Sequence, residues 1–218
     1  GGVADVGTDH GHIPLWLYKK GHKGKIFASD INSGPLDKAR AYAHEHGASK
    51  DICFLLCDGL EDIPPDEVKT VVIAGMGGET IAGILSFAPW TRKEGRRLIL
   101  QPMTKSEELR LWLFENGYKV LSEQLVEDGK VYEILTACGG RDLPYTAAEF
   151  LTGHTDLIKS DRLYPKQLEL LISKLDRACK GLKFSSKDKD IERLKELEET
   201  LKQLWELNIF TGGNHGKG

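Results

Sequence analysis

The feature that most constrains the fold is a series of five short apolar runs, most of which alternate with helical patterns. The runs show almost no polar alternation, which is typical of strands covered on both faces of a sheet. Strands that are separated by helices form right-handed crossovers and therefore a parallel sheet. The sequence predicts an α/β fold with strands at residues 3–6, 25–29, 52–56, 70–74 and 97–100.

Four helical patterns lie between these runs or directly after the last one. Pro35 is suited to the first turn of the second helix, because a backbone N–H has no helical partner there in any case. Ser106 can act as the N-cap of the fourth helix. The predicted helices cover residues 13–20, 35–47, 81–85 and 106–117.

After the fourth helix the pattern changes from parallel to antiparallel. Apolar strands at residues 118–126 and 131–137 are joined by residues 127–130, which contain the Asp-Gly pair that hairpins favour. The sheet is therefore predicted to be mostly parallel with a terminal antiparallel hairpin. Most plain dinucleotide-binding folds lack this ending.

Beyond Gly139 and Gly140 the sequence is typical of a helical hairpin. Apolar residues recur at spacings of three and four in two segments, 157–182 and 188–207, as in an antiparallel coiled coil. We therefore expect two domains, at residues 1–140 and 141–218. The predicted buried faces are Leu168, Leu171, Ile172, Leu175 and Cys179 on the first helix and Ile191, Leu194, Leu197, Leu201, Leu204 and Trp205 on the second.

Composition argues against several classes of protein. Hydrophobic residues make up 40% of the 218 residues and charged residues 29%, a balance typical of folded domains rather than disordered chains. No apolar run approaches the roughly 20 residues of a membrane span, and no signal-peptide pattern opens the sequence. Four cysteines without paired spacing indicate a reducing compartment. We expect a cytoplasmic protein without a membrane segment.

Charge is unevenly distributed, although the formal net charge of the whole chain is only -3. Residues 157–189 contain nine Lys or Arg and four acids, whereas residues 190–207 contain three and six. The two helices can simply be solvated and joined by ion pairs. The basic helix can equally contact phosphates. A second basic patch consists of Arg92, Lys93, Arg96 and Arg97.

The most informative motif is the turn after the first strand, D-V-G-T-D-H-G at residues 5–11. Glycines at such a turn let a ligand approach the backbone amides of a helix N-terminus. Carboxylates at Asp5 and Asp9 would repel the pyrophosphate of a dinucleotide. A cationic ligand fits better, and S-adenosylmethionine carries both a sulfonium and an ammonium group. An ordinary tight turn is the alternative interpretation.

Acids also follow the next two strands. Asp30 ends the second strand, where α/β folds place an acid against ribose hydroxyls, and Asp58 follows the third strand beside Gly59. Each acid alone can be a loop residue or a helix cap. Because the carboxyl ends of parallel strands meet at one edge of a sheet, we expect Asp5, Asp30 and Asp58 to surround a single nucleoside site.

The fourth strand ends in A-G-M-G-G at residues 74–78. Three glycines in four residues suggest backbone that lies close to a substrate or to a transferred group, although a small-residue turn is the alternative. Gln101, at the end of the fifth strand, can contact a base edge or simply belong to a turn. His10 and His12 lack a third ligand at a suitable spacing, so we expect no metal site.

With these motifs the chain resembles the bacterial tRNA (adenine-22-N1)-methyltransferase family, a class I group that uses S-adenosylmethionine. The resemblance covers nearly the whole chain, and its most specific part is the A-G-M-G-G segment. Two departures are a missing helix before the first strand and Met103 in place of an Asn. The motifs that carry it are A-D-V-G-T-D-H-G at 4–11, S-D-I at 29–31, C-D-G-L at 57–60, I-A-G-M-G-G at 73–78, L-Q-P at 100–102 and D-G-K-x-Y-E-I at 128–134.

The resemblance implies a Rossmann-like class I methyltransferase sheet with a C-terminal helical hairpin or coiled coil. It also implies methyl transfer from S-adenosyl-L-methionine to N1 of adenine 22 in tRNA. The enzyme would be a monomer without metal, and basic residues of the helical hairpin and of the 92–97 patch would hold the tRNA. The implied cofactor-binding residues are Asp5, Gly7, Thr8, Gly11, Asp30, Ile31, Asp58, Gly59 and Gly75. Asp9, Met76 and Gly77 are implied beside the methyl group and the target base.

Other functions remain open from the sequence. A methyltransferase of the same fold can act on another RNA base or on a small molecule. A non-catalytic RNA-binding or protein-binding module can use the helical hairpin and keep an inactive cofactor pocket. A nicotinamide dehydrogenase is disfavoured by the acidic turn and by the terminal hairpin.

Overall fold

The computed structural model describes residues 1–212. Its strands are β1 (Gly2–Val6), β2 (Ile26–Asp30), β3 (Ile52–Leu56), β4 (Val68–Gly77), β5 (Arg97–Thr104), β6 (Tyr118–Asp128) and β7 (Lys130–Gly139). Its helices are α1 (His12–Lys19), α2 (Ser33–Glu45), α3 (Gly78–Ser86), α4 (Ser106–Glu115), α5 (Ala147–Thr152), α6 (Thr155–Ile158), α7 (Tyr164–Leu182) and α8 (Asp188–Gly212). The alternation of strands and helices up to β5 follows the predicted order.

The strands form one sheet in the order β3-β2-β1-β4-β5-β7-β6. Strands β1 to β5 pair in parallel, whereas β7 pairs with β5 in the antiparallel direction. This arrangement confirms the predicted α/β fold with a terminal hairpin. The strand order switches between β1 and β4, and open α/β sheets bind ligands at the carboxyl ends of strands beside such a switch point.

The centre of the sheet is covered on both faces. All residues of β1 and β2 are buried, and Ala4 and Ala28 have no exposed area. Leu15 of α1 and Ala43 of α2 pack with Ile26 in one apolar cluster. The uninterrupted apolar runs of the sequence are therefore explained by helices that cover the central strands.

Strands β4 and β5 are longer than predicted. The sequence suggested turns at residues 75–78 and 101–102, but β4 extends to Gly77 and β5 to Thr104. Met76 pairs with Pro102 and Gly77 with Thr104, with irregular register around Met76. Pairing between two distant segments thus overrides the low strand propensity of glycine and proline, which the local sequence could not reveal.

The predicted N-cap of α4 is wrong by one position. Ser106 is the first helical residue, and Lys105 is the cap, with a left-handed backbone of φ 59°. The carbonyl of Lys105 accepts a hydrogen bond of 3.2 Å from the amide of Leu109. Helix α2 begins at Ser33, so Pro35 lies in its first turn as expected.

The C-terminal helices differ in detail from the prediction. Helix α7 begins at Tyr164 rather than at residue 157, because Asp161 forms a turn by accepting a 2.9 Å hydrogen bond from the amide of Leu163. On α8, Ile191 and Trp205 are exposed, which contradicts their predicted place on the buried face. Trp205 follows the buried Leu204 and so points about 100° away from it around the helix. The predicted residues Leu168, Ile172, Leu175 and Cys179 of α7 are buried.

The chain separates into two compact units. The first contains Gly1–Ser122 and Glu133–Leu143, and the second contains Glu123–Tyr132 and the chain from Pro144 onward. The tip of the β6–β7 hairpin belongs to the second unit because Leu125 packs in its apolar cluster. The domain boundary between residues 140 and 141 stays a prediction, and residues 213–218 of the predicted second domain lie outside the described residues.

The composition also raised expectations about cysteines and membrane segments. Cys53, Cys57, Cys138 and Cys179 are free thiols. In the part of the chain that the structure describes, no helix is both long and apolar enough to cross a membrane.

Candidate active site

The turn between β1 and α1 is built from left-handed backbone. Gly7, Asp9 and Gly11 have φ values of 69°, 48° and 71°. The amides of Gly7 and Thr8 each donate a 2.9 Å hydrogen bond to the carbonyl of Ser29 in β2, which fixes the turn against the neighbouring strand. Glycine tolerates this conformation without strain, whereas Asp9 adopts it at a cost.

Asp5 lies buried beneath this turn. It is 3% exposed, and its Oδ2 accepts a 2.7 Å hydrogen bond from the Thr8 hydroxyl. Burial raises the pKa of the Asp5 carboxyl to about 6, and the hydrogen bond from Thr8 acts in the opposite direction. In the structure, Asp5 and Thr8 therefore shape the turn from below.

Asp30, at the carboxyl end of β2, is held by backbone amides. Its Oδ1 accepts a 2.9 Å hydrogen bond from the amide of Asn32, and its Oδ2 a 3.3 Å hydrogen bond from the amide of Asp9. Each carboxylate oxygen can accept a further hydrogen bond. The carboxylate is thus fixed in orientation and keeps acceptor capacity for a ligand.

The loop after β3 approaches α3 closely. Gly59 has φ 54°, and a Cβ at this position would lie 2.9 Å from Cγ2 of Ile84. The carbonyl of Gly59 accepts a 3.2 Å hydrogen bond from the Ser29 hydroxyl. The adjacent Asp58 is exposed. Glycine at position 59 therefore lets the loop reach both the sheet and the helix.

The end of β4 bulges at Gly75, which has φ 79°. The amide of Gly75 donates a 3.0 Å hydrogen bond to Oε1 of Gln101 in β5. A Cβ on Gly7 would lie 2.1 Å from Cε of Met76, so the ends of β1 and β4 are in close contact. Gln101 therefore supports the bulge, a role that neither of the sequence-based alternatives included.

These segments enclose a cavity of about 370 Å³ at the carboxyl ends of the parallel strands. Among the predicted site residues, those that line it are Gly7, Asp30, Ile31, Asp58, Gly59, Gly75 and Met76.

Five other predicted site residues lie near the cavity without lining it. Asp5 and Thr8 are buried below the turn. Gly11 packs on α2, where its Cβ would lie 3.0 Å from that of Ala39. The Asp9 side chain is 66% exposed, and a Cβ on Gly77 would face the Thr104 hydroxyl.

The sequence reasoning missed several lining residues. Thr80 and Ile84 on α3 line the cavity, and so do Ser29, Asn32 and Cys57 on the β2 and β3 side. A signal for the first two was present, because residues four apart on the helix that follows a glycine-rich strand end lie on one face. Asn32, two residues after Asp30, occupies the same strand end.

The charge of the cavity is acidic. Asp30 and Asp58 are the charged side chains among its lining residues, and no Lys or Arg lines it in the described chain. Two carboxylates favour a cationic ligand over a polyanionic one. No group of three or more His, Cys, Asp or Glu residues in the range 1–212 is placed to hold a metal ion.

The basic patch at residues 92–97 lies away from this cavity. Arg97 is the first residue of β5, so the patch is at the amino-terminal edge of the parallel strands and the cavity at the carboxyl edge. Arg92 donates a 3.0 Å hydrogen bond to the carbonyl of Asn116, and the guanidinium of Arg96 lies 5.8 Å from the centre of the Trp90 ring. Two of its four cations therefore also make local contacts.

Comparison with known families decides the class of the fold. The family described as a methyltransferase domain matches residues 2–135, which include β1 to β5 and the whole cavity. The chain belongs to this methyltransferase family. The match places the acidic cavity inside the methyltransferase domain and confirms the class that the sequence resemblance implied.

Curated relatives of this methyltransferase domain come from several bacteria. The Bacillus subtilis tRNA (adenine(22)-N(1))-methyltransferase is 35% identical over 153 residues, which cover 69% of this chain and 64% of the relative. A Mycoplasma genitalium protein is 32% identical over 138 residues, which cover 61% of this chain and 60% of that protein. The chain thus spans slightly less than two thirds of the length of these curated relatives.

Solved structures match over a larger part of the chain. The Bacillus subtilis m1A22 tRNA methyltransferase superposes with a TM-score of 0.84 at 28% identity and covers 95% of this chain and 92% of its own. Streptococcus pneumoniae Sp1610 in complex with S-adenosyl-L-methionine gives a TM-score of 0.80 at 27% identity, with 94% and 91% covered. The predicted Rossmann-like sheet followed by C-terminal helices is confirmed.

Proposed function

We infer that this chain transfers a methyl group from S-adenosyl-L-methionine to N1 of adenine 22 in tRNA. The observation that carries the proposal is the cavity that holds Asp30 and Asp58 at adjacent strand ends and contains no cationic side chain among its lining residues. The relatives add the substrate, because the Bacillus subtilis protein is a tRNA (adenine(22)-N(1))-methyltransferase.

The cavity residues fit a nucleoside cofactor with a positive charge. The Asp30 carboxylate, fixed by two amides, would hold the ribose hydroxyls. Ile31 lines the cavity, is 61% exposed, and would pack on the adenine ring. Asp58 and Gly59 would read the edge of that ring. These roles need hydrogen-bond acceptors and an apolar surface, and the described side chains supply both.

The turn after β1 would surround the methionine part of the cofactor. Gly7 lines the cavity without a side chain, and Gly11 lets the turn pack on α2. Asp5 and Thr8 support the turn from below. A buried carboxyl with a pKa near neutrality is stabilised as an anion by a nearby cation, which suits the ammonium group of this cofactor.

The chemistry requires positioning more than proton transfer. When bound, the cofactor supplies an electrophilic methyl group on a sulfonium. Adenine N1 has a free lone pair, so the chain needs no general base; it must hold the ring in line and exclude water, which contributes up to about 7–11 kcal/mol in ideal cases. The β4 end from Gly75 through Met76 and Gly77 would border the reacting atoms. The carboxylate of Asp9 would stabilise the positive charge that develops on the base.

The remaining proposals concern binding and organisation. Residues 1–140 would carry catalysis, and residues 141–218 would contribute an RNA-binding helical domain. The basic face of α7 would contact tRNA phosphates, assisted by the patch at 92–97. We propose a cytoplasmic monomer that acts without metal.

The test is methyl transfer to two tRNA transcripts that differ only in having adenine or guanine at position 22. The product is digested and its nucleosides are identified by mass spectrometry. We expect 1-methyladenosine from the adenine transcript and none from the guanine transcript. Equal methylation of both transcripts would contradict the position, and transfer to free adenosine alone would indicate a small-molecule substrate.

A matched pair of variants tests the cofactor site. Asp30→Ala should abolish cofactor binding in calorimetry, because it removes the carboxylate that two amides orient inside the cavity. Asp37→Ala, on the exposed side of α2, should leave cofactor binding unchanged. Wild-type binding without transfer to either transcript would support the cofactor assignment and contradict the tRNA substrate.

A further inference from the structure

The carboxyl edge of the parallel sheet, which bears the cavity, is short of positive charge. Within residues 1–212, the segments that join β1 to β5 to the elements after them contain a single Lys or Arg, which is Lys105 after β5. The same segments carry Asp9, Asp58, Glu61 and Asp62. An RNA that brings a base to this edge meets repulsion, and Lys105 is the one lysine or arginine in these segments to oppose it.

Lys105 lies directly beside the strand end proposed to border the target base. Gly77 pairs with Thr104, the residue before Lys105. A Cβ on Gly78 would lie 2.2 Å from the carbonyl oxygen of Lys105. The backbone of Lys105 is therefore packed against the end of β4, and this closeness restricts position 78 to glycine.

The backbone of Lys105 is itself unusual. Its φ of 59° is in the left-handed region, which residues with a side chain adopt at a cost. Among residues 1–212, the other non-glycine residue with positive φ is Asp9, which lies at the same edge of the sheet. Strained backbone of this kind concentrates at functional sites. A glycine would relieve the strain at position 105 but would not supply a cation.

In the structure the Lys105 ammonium is held by two carboxylates. Its Nζ lies 2.5 Å from Oε1 of Glu79 on α3 and 3.3 Å from Oε2 of Glu108 on α4. The hydrogen bond with Glu79 raises the pKa of Lys105, so the side chain stays cationic. All three side chains are about half exposed, and ion pairs of this kind exchange partners easily.

We propose that Lys105 binds a backbone phosphate next to the target adenine and thereby directs the base to the end of β4. The inference rests on the proposed tRNA methylation and names a substrate contact for it. In the free chain Glu79 and Glu108 hold the ammonium beside the cavity. On RNA binding the phosphate replaces Glu79 as its partner.

The alternative is that Lys105 merely joins α3 to α4. A phosphate contact changes the salt dependence of RNA binding, because each contact releases counterions, whereas a bridge between two helices does not. Salt dependence is therefore the measurement that separates the two roles.

The experiment compares the full chain with Lys105→Met, Lys105→Arg and, as a matched control, Lys50→Met, which removes an exposed lysine before β3. We expect Lys105→Met to lower kcat/KM for tRNA about tenfold and to reduce the slope of log K against log salt by about 0.7–0.9. Lys105→Arg should retain most of the slope. Lys50→Met should match wild type, and all variants should bind the cofactor equally.

A neutral methylphosphonate in the tRNA locates the contact. Placed beside nucleotide 22, it should weaken binding to wild type but cause no further loss for Lys105→Met. Glu79→Gln should tighten tRNA binding, because it frees the ammonium and removes a negative charge from the edge.

Two results would overturn the inference. An unchanged salt slope for Lys105→Met, with wild type active, would overturn this inference and leave the proposed function intact. Absence of both tRNA binding and methyl transfer by wild type would overturn the two together. A loss in Lys105→Arg equal to that in Lys105→Met would also contradict a phosphate contact, because arginine keeps the charge.

Discussion

At the scale of single residues, the site depends on places where a Cβ does not fit. Gly7 is such a place, because its Cβ would meet the terminal methyl of Met76 while its own backbone is left-handed. Gly21 shares the left-handed conformation, with φ 71°, but no atom lies within 4 Å of its Cβ position. The two glycines therefore separate the cost of backbone strain from the cost of crowding the cavity.

Replacing Gly7 by alanine should weaken cofactor binding about tenfold or more. The added methyl displaces Met76 into the cavity, and overpacking of this kind costs about 1–3 kcal/mol. Calorimetric titration with S-adenosylmethionine measures the effect. Gly21→Ala, which adds the same left-handed strain without the contact, should bind the cofactor as wild type does. Equal losses in both variants would show that strain alone is responsible.

The buried Asp5 carboxyl makes stability depend on pH. Because its pKa is about 6 in the folded chain and 3.8 ordinarily, the folded state binds more protons between these values. The free energy of unfolding should therefore fall as pH rises from about 4 to about 6, by up to about 3 kcal/mol from this group. Asp5→Asn, which can still accept the Thr8 hydrogen bond, should remove this part of the slope.

Urea unfolding at several pH values between 4 and 7 measures the Asp5 effect. Asp51→Asn, at an exposed position, is the control and should retain the wild-type pH dependence. If Asp5→Asn and wild type lose the same free energy over this range, the carboxyl does not titrate as its burial predicts.

At the scale of elements, carboxylates in turns hold the second compact unit together. Oδ2 of Asp161 accepts a 2.9 Å hydrogen bond from the amide of Leu125 in β6, and its Oδ1 accepts one from Leu163 before α7. Glu123 accepts a 2.9 Å hydrogen bond from the amide of His154. These bonds tie the hairpin tip to the turns between α5 and α7, which explains why the tip belongs to this unit.

Asp161→Ala should destabilise the chain by about 1–3 kcal/mol, because it leaves the buried amide of Leu125 without an acceptor. Thermal or urea unfolding measures the change. Asp156→Ala is the matched control, since Asp156 pairs with Lys159 in solvent and its loss should have little effect. Similar melting of the two variants would contradict the role of Asp161.

The elements also show how far sequence reasoning reaches. The central strands were predictable because burial on both faces leaves a local apolar signature, and Asp30 and Asp58 were predictable because acids at strand ends meet at one edge. The extension of β4 past Ala74 was not, because it depends on pairing with β5. The start of α7 was not, because Asp161 forms its turn with a strand far away in sequence.

At the scale of the whole molecule, charge separates the functions of the chain. The cavity is lined by carboxylates, as a cationic cofactor requires, while the excess of basic residues lies in residues 157–189. A polyanionic substrate is therefore attracted mainly by residues other than those that bind the cofactor. Affinity for RNA and affinity for the cofactor should then respond to different substitutions.

Neutralising α7 tests this separation. Lys174 and Arg177 are exposed on α7, and Lys174→Gln with Arg177→Gln should weaken tRNA binding and reduce its salt slope by about 1.4–1.8, the value for two phosphate contacts. Cofactor affinity should stay at the wild-type value. The control removes the same net charge from α8 through Lys195→Gln and Lys202→Gln, which lie among acids and should leave the slope nearly unchanged. If both pairs reduce the slope equally, tRNA responds to total charge rather than to the α7 surface.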